Sequence, residues 1–213
     1  DVGAQSTDIY IYEGSNLASI DTIPLGGNTI TNDIALCLKL PFSEAEKLKI
    51  KYGSIGEESI SCDSPIEVNA DYNGKVHVDY FMLKQIIEAR IEEILYLIDQ
   101  KIKCSDLYEK VSGIVLVGGG LALIKGIEGF SKHILEKPIR VGAPEYIGAA
   151  SPLYASAVGI VKDVADSIKD KGFMTEVKKE SENSNREWTE ERDKKDDNNG
   201  FVSKIKEFFT DFF

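Results

Sequence analysis

Gly113-Ile-Val-Leu-Val-Gly-Gly-Gly120 is the stretch of this sequence that decides the fold. An apolar run bounded by glycines is typical of a strand that is buried on both faces. The glycines precede a helical pattern that we predict to begin near Ile124. Consecutive glycines let a sugar or a phosphate approach the backbone closely, and a nearby helix N-terminus favours an anion. A flexible turn from strand to helix explains Gly118, Gly119 and Gly120 about equally well.

Outward from this strand, helical and strand patterns alternate along the chain, which predicts an α/β fold. The predicted strands are 8–12 and 17–23, which form a hairpin, short strands between 53 and 79, then 113–117 and 138–141. The predicted helices are 29–40, 43–52, 80–103, one that begins near 124, and 152–162. Ser43 and Glu46 match a capping box at the start of the second helix, and Gly53 matches a helix stop.

Composition and charge restrict the function classes. The chain has 213 residues and a net charge of −11, which argues against a nucleic-acid binder because such a protein needs a basic face. Cys37, Cys62 and Cys104 are scattered and odd in number, which fits a reducing cytoplasm rather than a disulfide framework or a zinc site. No apolar run is long enough to span a membrane, so we expect any membrane contact to come from the surface.

Asp1-Val-Gly-Ala-Gln-Ser-Thr-Asp8 immediately precedes the predicted hairpin. A glycine-containing turn between strands can aim amide groups at phosphate oxygens, and the hydroxyls of Ser6 and Thr7 add donors. The carboxylate of Asp1 could hold Mg²⁺ through water, as carboxylates do in nucleotide sites. An ordinary polar turn explains such a short motif more often than a phosphate loop does. Because the chain opens directly into this loop, we expect it to be the later part of a longer protein.

Towards the C-terminus the composition becomes polar and charged, and we predict a disordered linker over residues 166–200. Hydrophobicity returns in residues 201–213, which as a helix would be amphipathic. The residues of the apolar face are Phe201, Val202, Ile205, Phe208, Phe209, Phe212 and Phe213. Such a helix is about 20 Å long, too short to cross a bilayer, so we predict that it lies in a membrane interface. The alternative is a terminal helix that docks on the protein's own core.

Together these segments resemble the ATPase superfamily of actin, heat-shock chaperones and hexokinase and, within it, the FtsA family of division proteins. Residues 1–8 resemble the second phosphate loop of the superfamily, and Val115–Gly120 resembles its adenosine motif. Further FtsA-like stretches are Ile23–Asn28, Thr31–Ala35, Ala45–Gly53, Arg140–Pro144 and Tyr154–Gly159. Ala4 and Gln5 depart from the pattern because they replace two glycines of the phosphate loop. At positions with positive φ, such residues would cost about 1 kcal/mol or more.

The resemblance implies an actin-like ATPase fold with ATP and Mg²⁺ in a cleft. Residues 1–28 and 104–165 would form subdomain 2A, which is RNase H-like, and residues 29–103 would form the inserted subdomain 2B. The residues implied at the cleft are Asp1 (phosphates and metal), Gly3, Ser6 and Thr7 (phosphates), Gly118, Gly119 and Gly120 (adenosine), and Glu46 and Lys49 (ribose or adenine). Glu46 and Lys49 share a helix face, and a solvated charged face explains them about equally well.

The resemblance also implies a role in cell division. A member of this family would bind ATP, polymerise, and capture the C-terminal peptide of FtsZ with Arg90 and Glu93 of subdomain 2B. The tail would anchor the FtsZ ring to the cytoplasmic face of the cell membrane at the division site, where other divisome proteins are expected partners. No catalytic residue can be assigned, so we expect at most a weak ATPase. The alternatives are a PilM-like pilus adaptor and an ATPase or sugar kinase of the same superfamily.

Overall fold

The computed structural model of the chain describes residues 1–56, 65–70 and 74–170. The chain divides into two compact units, Asp1–Lys162 and Asp163–Phe213. The described part of the second unit consists only of the end of the last helix. Cys62, the linker predicted beyond residue 170 and the amphipathic helix predicted over 201–213 lie outside the described residues.

Strands and helices alternate through the described ranges. The strands are β1 (Thr7–Glu13), β2 (Asn16–Ile23), β3 (Ile66–Ala70), β4 (Gly74–Val78), β5 (Ile114–Leu116) and β6 (Ile139–Val141). The helices are α1 (Gly27–Leu38), α2 (Phe42–Tyr52), α3 (Tyr80–Lys103), α4 (Ile127–Leu135) and α5 (Ala155–Asp170), with short 3-10 helices at Tyr108–Lys110 and Pro152–Tyr154. No helix within these described ranges combines the length and the apolar character that crossing a membrane requires.

The described strands pair in three two-stranded sheets. β1 and β2 form the predicted antiparallel hairpin, with a register shift between Ile11 and Tyr12. β3 and β4 are also antiparallel, whereas β5 and β6 are parallel. α4 connects β5 to β6, which is the crossover that parallel strands require. The predicted α/β class is therefore confirmed.

The first two residues lie between the hairpin and β5. The α-amino nitrogen of Asp1 donates to the carbonyl of Asp8, and the amide of Asp8 donates to the carbonyl of Asp1, both at 2.8 Å. The amide of Val2 donates to the carbonyl of Val117 at 2.9 Å. A cavity of about 540 Å³ is lined by β1, by β5 and by Ile98 and Ile102 of α3. Residues 1–2 therefore hold the hairpin beside β5.

The long helix α3 organises the core, and its bounds match the prediction. Asp79 caps its N-terminus by accepting a hydrogen bond from the amide of Phe81 at 3.1 Å. Its buried apolar residues recur at helical spacing and are Tyr80, Leu83, Ile87, Ile91, Ile94, Leu95, Ile98 and Ile102. They pack with Ile30 and Ile34 of α1 in one hydrophobic core, which fixes α1 beside α3.

Several helix boundaries differ from the predictions, including those of α1, which spans Gly27–Leu38 rather than 29–40. The predicted capping box is wrong, because α2 begins after Pro41 without a side-chain cap and Glu46 bonds to other residues. α4 begins at Ile127 rather than near Ile124, because Leu121, Ala122 and Ile124 are buried in a turn that precedes the helix. α5 continues to Asp170 rather than ending at residue 162, so residues 166–170 of the predicted linker are helical. The predicted stop at Gly53 is confirmed, since Gly53 is the C-cap of α2.

Candidate functional site

The two glycine-containing loops meet through their backbones. The loop of residues 1–8 contacts residues 117–120, since the amide of Gly120 donates to the carbonyl of Val2 at 2.7 Å. Val2 itself donates to Val117, so the two segments run side by side. The structure thus brings together the two loops that the sequence assigned to phosphate and to adenosine.

The first turn of α1 contacts the same loop. The amide of Gly27 donates to the carbonyl of Gly3 at 2.9 Å, and the amide of Asn28 donates to the carbonyl of Ala4 at 2.7 Å. These amides belong to the groups that a helix N-terminus leaves without an intrahelical partner. The loop of residues 1–8 therefore caps α1, and these two amides are not available to an anion.

Glycine is required at positions 118 and 120 by contacts within the protein. Gly118 has φ of 93°, and a Cβ there would lie 2.4 Å from the Asp1 carboxylate. A Cβ at Gly120 would lie 2.4 Å from the carbonyl oxygen of Gly3, whereas one at Gly119 would meet only the side chain of Leu153, which can move aside. The glycines thus let the two loops approach each other. This role differs from the two roles suggested by the sequence, which were close approach of a ligand and a flexible turn from strand to helix.

The polar side chains of residues 1–8 have different surroundings. The carboxylate of Asp1 accepts a hydrogen bond from the hydroxyl of Ser156 at 2.5 Å. Thr7 is buried, and its hydroxyl donates to the carbonyl of Leu25 at 2.8 Å. The hydroxyl of Ser6 is partly exposed and has no hydrogen-bond partner among the described residues. Ser6 is therefore the hydroxyl of this loop that is open to a ligand.

Ala4 and Gln5 do not strain the loop. Among the described non-glycine residues, positive φ occurs only at Lys39 and Glu136. The replacement of two glycines by Ala4 and Gln5 therefore carries no penalty from left-handed backbone. Their amides donate to no backbone carbonyl within the described ranges, so they remain available to an acceptor.

Glu46 and Lys49 form a network with α1. Lys49 is buried, and its ammonium group donates to the carbonyl of Gly27 at 2.9 Å and to the hydroxyl of Thr31 at 2.7 Å. Its third neighbour is the carboxylate of Glu46 at 2.7 Å, which also accepts from Thr31. The three N–H groups of Lys49 are therefore all engaged. Sequence reasoning missed Thr31, although Thr31–Ala35 was among the FtsA-like stretches.

Arg90 and Glu93 meet a third residue, Asp33 of α1. The Nε and Nη2 groups of Arg90 donate to the two carboxylate oxygens of Asp33 at 2.5 and 3.0 Å, and Nη1 donates to Glu93. This pairing raises the pKa of Arg90 above its ordinary value, chiefly through the hydrogen bonds to Asp33. Arg90 and Asp33 are 57 positions apart in sequence, so no local pattern could have indicated the pair.

The residues of the two loops fit a phosphate group with Mg²⁺. The free hydroxyl of Ser6, the amides of Ala4 and Gln5 and the carboxylate of Asp1 belong to one short loop. Mg²⁺ in nucleotide sites is usually held by one or two carboxylates together with the phosphates, so a single carboxylate suffices. The roles of the individual residues remain predictions.

Comparison with known proteins identifies the family. The family model described as "Cell division protein FtsA" matches residues 1–159. FtsA of Bacillus subtilis is 34% identical over 163 residues, which cover 76% of this chain and 37% of the relative. FtsA of Escherichia coli is 32% identical over 178 residues, which cover 76% of this chain and 41% of the relative. The chain thus spans about two fifths of the length of these curated relatives.

Solved structures with a similar fold belong to actin-like proteins. MreB5 of Spiroplasma citri bound to ADP superposes with a TM-score of 0.66 at 20% identity, covering 80% of this chain and 53% of that chain. PilM in the PilM-PilN type IV pilus biogenesis complex superposes with a TM-score of 0.54 at 18% identity, covering 75% of this chain and 43% of that chain. These similarities confirm the predicted actin-like fold. Together with the family match, they show that the chain belongs to the FtsA family of cell division proteins.

Proposed function

We propose that this chain is the part of an FtsA-type division protein that binds ATP, captures FtsZ and attaches to the membrane. The observation that supports this proposal most directly is the contact between residues 1–8, residues 118–120 and the first turn of α1. This contact brings the carboxylate of Asp1 beside Gly118, and the free hydroxyl of Ser6 belongs to the same short loop as Asp1. The relatives are named for cell division, and the solved structure of MreB5 contains ADP.

Each residue of the nucleotide site would have a defined task. The hydroxyl of Ser6 and the amides of Ala4 and Gln5 would bind phosphate oxygens, and Asp1 would hold Mg²⁺ through water. The amide of Gly3 donates to the carbonyl of Ser6 at 2.9 Å and so closes the turn of the loop instead. Gly118–Gly120 would face the adenosine, and bound Mg²⁺ would neutralise phosphate charge. Thr7 and Lys49 would act on the protein itself: Thr7 fixes the loop to Leu25, and Lys49 fixes α2 to α1. No residue is assigned as a general base, so we propose a nucleotide-dependent scaffold with at most weak ATPase activity.

Attachment to partners would use two other surfaces. Arg90 and Glu93 of α3 would contact the C-terminal peptide of FtsZ, because both side chains are partly exposed. Residues 201–213 would insert their aromatic face into the cytoplasmic side of the membrane at the division site. Polymerisation would link many weakly binding tails in one assembly. Once one tail is bound, the effective concentration of the others at the membrane is raised, so attachment of the polymer would be stable.

Amide chemical shifts test the nucleotide site. We expect Mg²⁺-ATP added to the ¹⁵N-labelled 213-residue chain to shift the amide signals of residues 3–7 and 118–120. Ser6→Ala should weaken this response, whereas Ser15→Ala in the exposed turn between β1 and β2 should not. Shifts confined to other parts of the chain, or an unchanged response of the Ser6→Ala variant, would contradict the proposed phosphate loop.

A further inference from the structure

The cluster of Asp33, Arg90 and Glu93 joins two helices at the partly exposed surface. Arg90 and Glu93 lie one turn apart on α3, and Asp33 lies on α1. The side chains of Arg90 and Asp33 are 25% and 23% exposed, and that of Glu93 is 49% exposed. A partner can therefore reach this cluster, although the Arg90–Asp33 contact is mostly shielded from water.

A count of donors shows what remains for a partner. A guanidinium group has five N–H donors in a planar fork. Asp33 takes the edge formed by Nε and Nη2, and Glu93 takes one donor of Nη1. Two N–H groups of Arg90 are left, one on each terminal nitrogen. These two N–H groups can donate to the carboxylate of a partner.

Asp33 determines where those donors point. An Arg–Glu pair one turn apart on a helix surface is worth only about 0.3–0.5 kcal/mol, so Glu93 alone would hold Arg90 weakly. The two-point contact with Asp33 fixes the plane of the guanidinium because α1 is packed against α3 in the core. Pre-organised donors lose less conformational entropy on binding than mobile ones do.

We infer that Asp33 is a positioning residue for peptide recognition: it orients Arg90 so that the two remaining N–H groups receive a carboxylate of the partner peptide. The inference rests on the proposed capture of the FtsZ peptide by α3. Charge alone predicts the opposite effect. Arg90, Asp33 and Glu93 together carry a net charge of −1, so the removal of Asp33 would by itself strengthen the binding of an acidic peptide. The two effects therefore predict opposite changes in affinity.

Peptide binding to the 213-residue chain separates these effects. The probes are a synthetic C-terminal peptide of FtsZ and the same peptide with every carboxylate converted to an amide. The unaltered chain should prefer the acidic peptide, and Arg90→Ala should abolish this preference. We expect Asp33→Asn and Asp33→Ala to weaken binding of the acidic peptide about tenfold while leaving the amide peptide nearly unaffected. Asp33→Glu should restore part of the preference.

A matched variant controls for the loss of a surface carboxylate. Asp21 pairs with Lys101 of α3 at 2.9 Å in an exposed ion pair, so Asp21→Asn should leave both peptide affinities unchanged. Circular dichroism shows whether each variant is folded. If Asp33→Ala is unfolded, the peptide affinities of Asp33→Asn test the role of Asp33. Suppose that Asp33→Asn binds the acidic peptide as tightly as the unaltered chain or more tightly, while Arg90→Ala loses binding. This result would overturn the positioning role of Asp33 but not the peptide site at Arg90. Failure of the unaltered chain to bind either peptide would overturn the proposed FtsZ site as well.

Discussion

Gly120 has no room for a side chain, because a Cβ there would lie 2.4 Å from the carbonyl oxygen of Gly3 and 2.8 Å from Val2. The clash involves backbone atoms of a loop that also caps α1, so it cannot be relieved by rotating a side chain. We expect Gly120→Ala to lower the free energy of unfolding by about 1–3 kcal/mol, the usual cost of overpacking. Urea denaturation followed by circular dichroism measures this change.

Gly129 provides the matched control. It lies within α4, and a Cβ there would meet nothing within 4 Å. Gly129→Ala should therefore raise the free energy of unfolding by about 0.5–1 kcal/mol, because alanine favours the helix. The same chemical change should thus have opposite signs at the two positions. A Gly120→Ala variant as stable as the unaltered chain would contradict the close contact between the loops.

Sequence reasoning named most residues of the candidate site, although not Thr31, and did not show how they are bonded. The chemistry of Ser6, Glu46 and Lys49 was visible in the sequence, because residue types and a spacing of three positions are local properties. The burial of Lys49 was not visible, since two of its acceptors, Gly27 and Thr31, come from another helix. Contacts of this kind depend on tertiary packing, which periodicity does not encode.

At the scale of the element, α3 depends on its N-terminal cap. Asp79 accepts the amide hydrogen of Phe81, one of the groups that the first turn would otherwise leave unpaired. We expect Asp79→Ala to destabilise the chain by about 1 kcal/mol, as the loss of a capping carboxylate usually does. Chemical denaturation gives the size of the effect. Hydrogen exchange shows whether amides in the first turns of α3 are the ones that lose protection.

Glu92→Ala is a suitable comparison for this variant. Glu92 is exposed in the middle of α3 and forms no ion pair with a described residue. Its removal should change stability by less than about 0.5 kcal/mol, as surface substitutions usually do. If both variants had the same effect, the contribution of the Asp79 cap would be refuted.

The elements were predicted best where a local signal and the core agreed. α3 combines a capping aspartate with apolar residues at every helical turn, so its bounds followed from the sequence. The capping box at Ser43 failed because Glu46 is attracted to the buried ammonium of Lys49 rather than to the start of α2. The start of α4 was misjudged because the apolar residues 121–124, three of which are buried, form a turn rather than a helix. An apolar run in the sequence indicates that a segment is largely buried, but it does not indicate the backbone conformation of that segment.

At the scale of the whole molecule, the proposed membrane attachment depends on the aromatic face of residues 201–213. Phe208→Asp would put a charge on that face, and desolvating a charge opposes insertion. We expect this variant to lose most of its co-sedimentation with liposomes, as should a chain that lacks residues 201–213. Sedimentation of the chain with and without lipid measures the effect.

Thr210→Asp is the matched variant for this experiment. It introduces the same charge on the polar face of the proposed helix, so co-sedimentation should change little at physiological ionic strength. Equal losses in both variants would mean that net charge rather than the aromatic face governs attachment. Unchanged sedimentation of the Phe208→Asp chain would refute the anchoring role of this segment.

The helix α1 limits how cleanly the two proposed sites can be dissected by mutagenesis. Its first turn bonds to residues 3 and 4, and six positions later Asp33 holds Arg90, only about 9 Å farther along the axis. A substitution that tilts or frays α1 should therefore change both nucleotide binding and peptide binding. When it is combined with a second substitution at either site, the two changes in free energy should not be additive. Variants outside α1, such as Ser6→Ala and Arg90→Ala, are the ones that can assign a defect to a single surface.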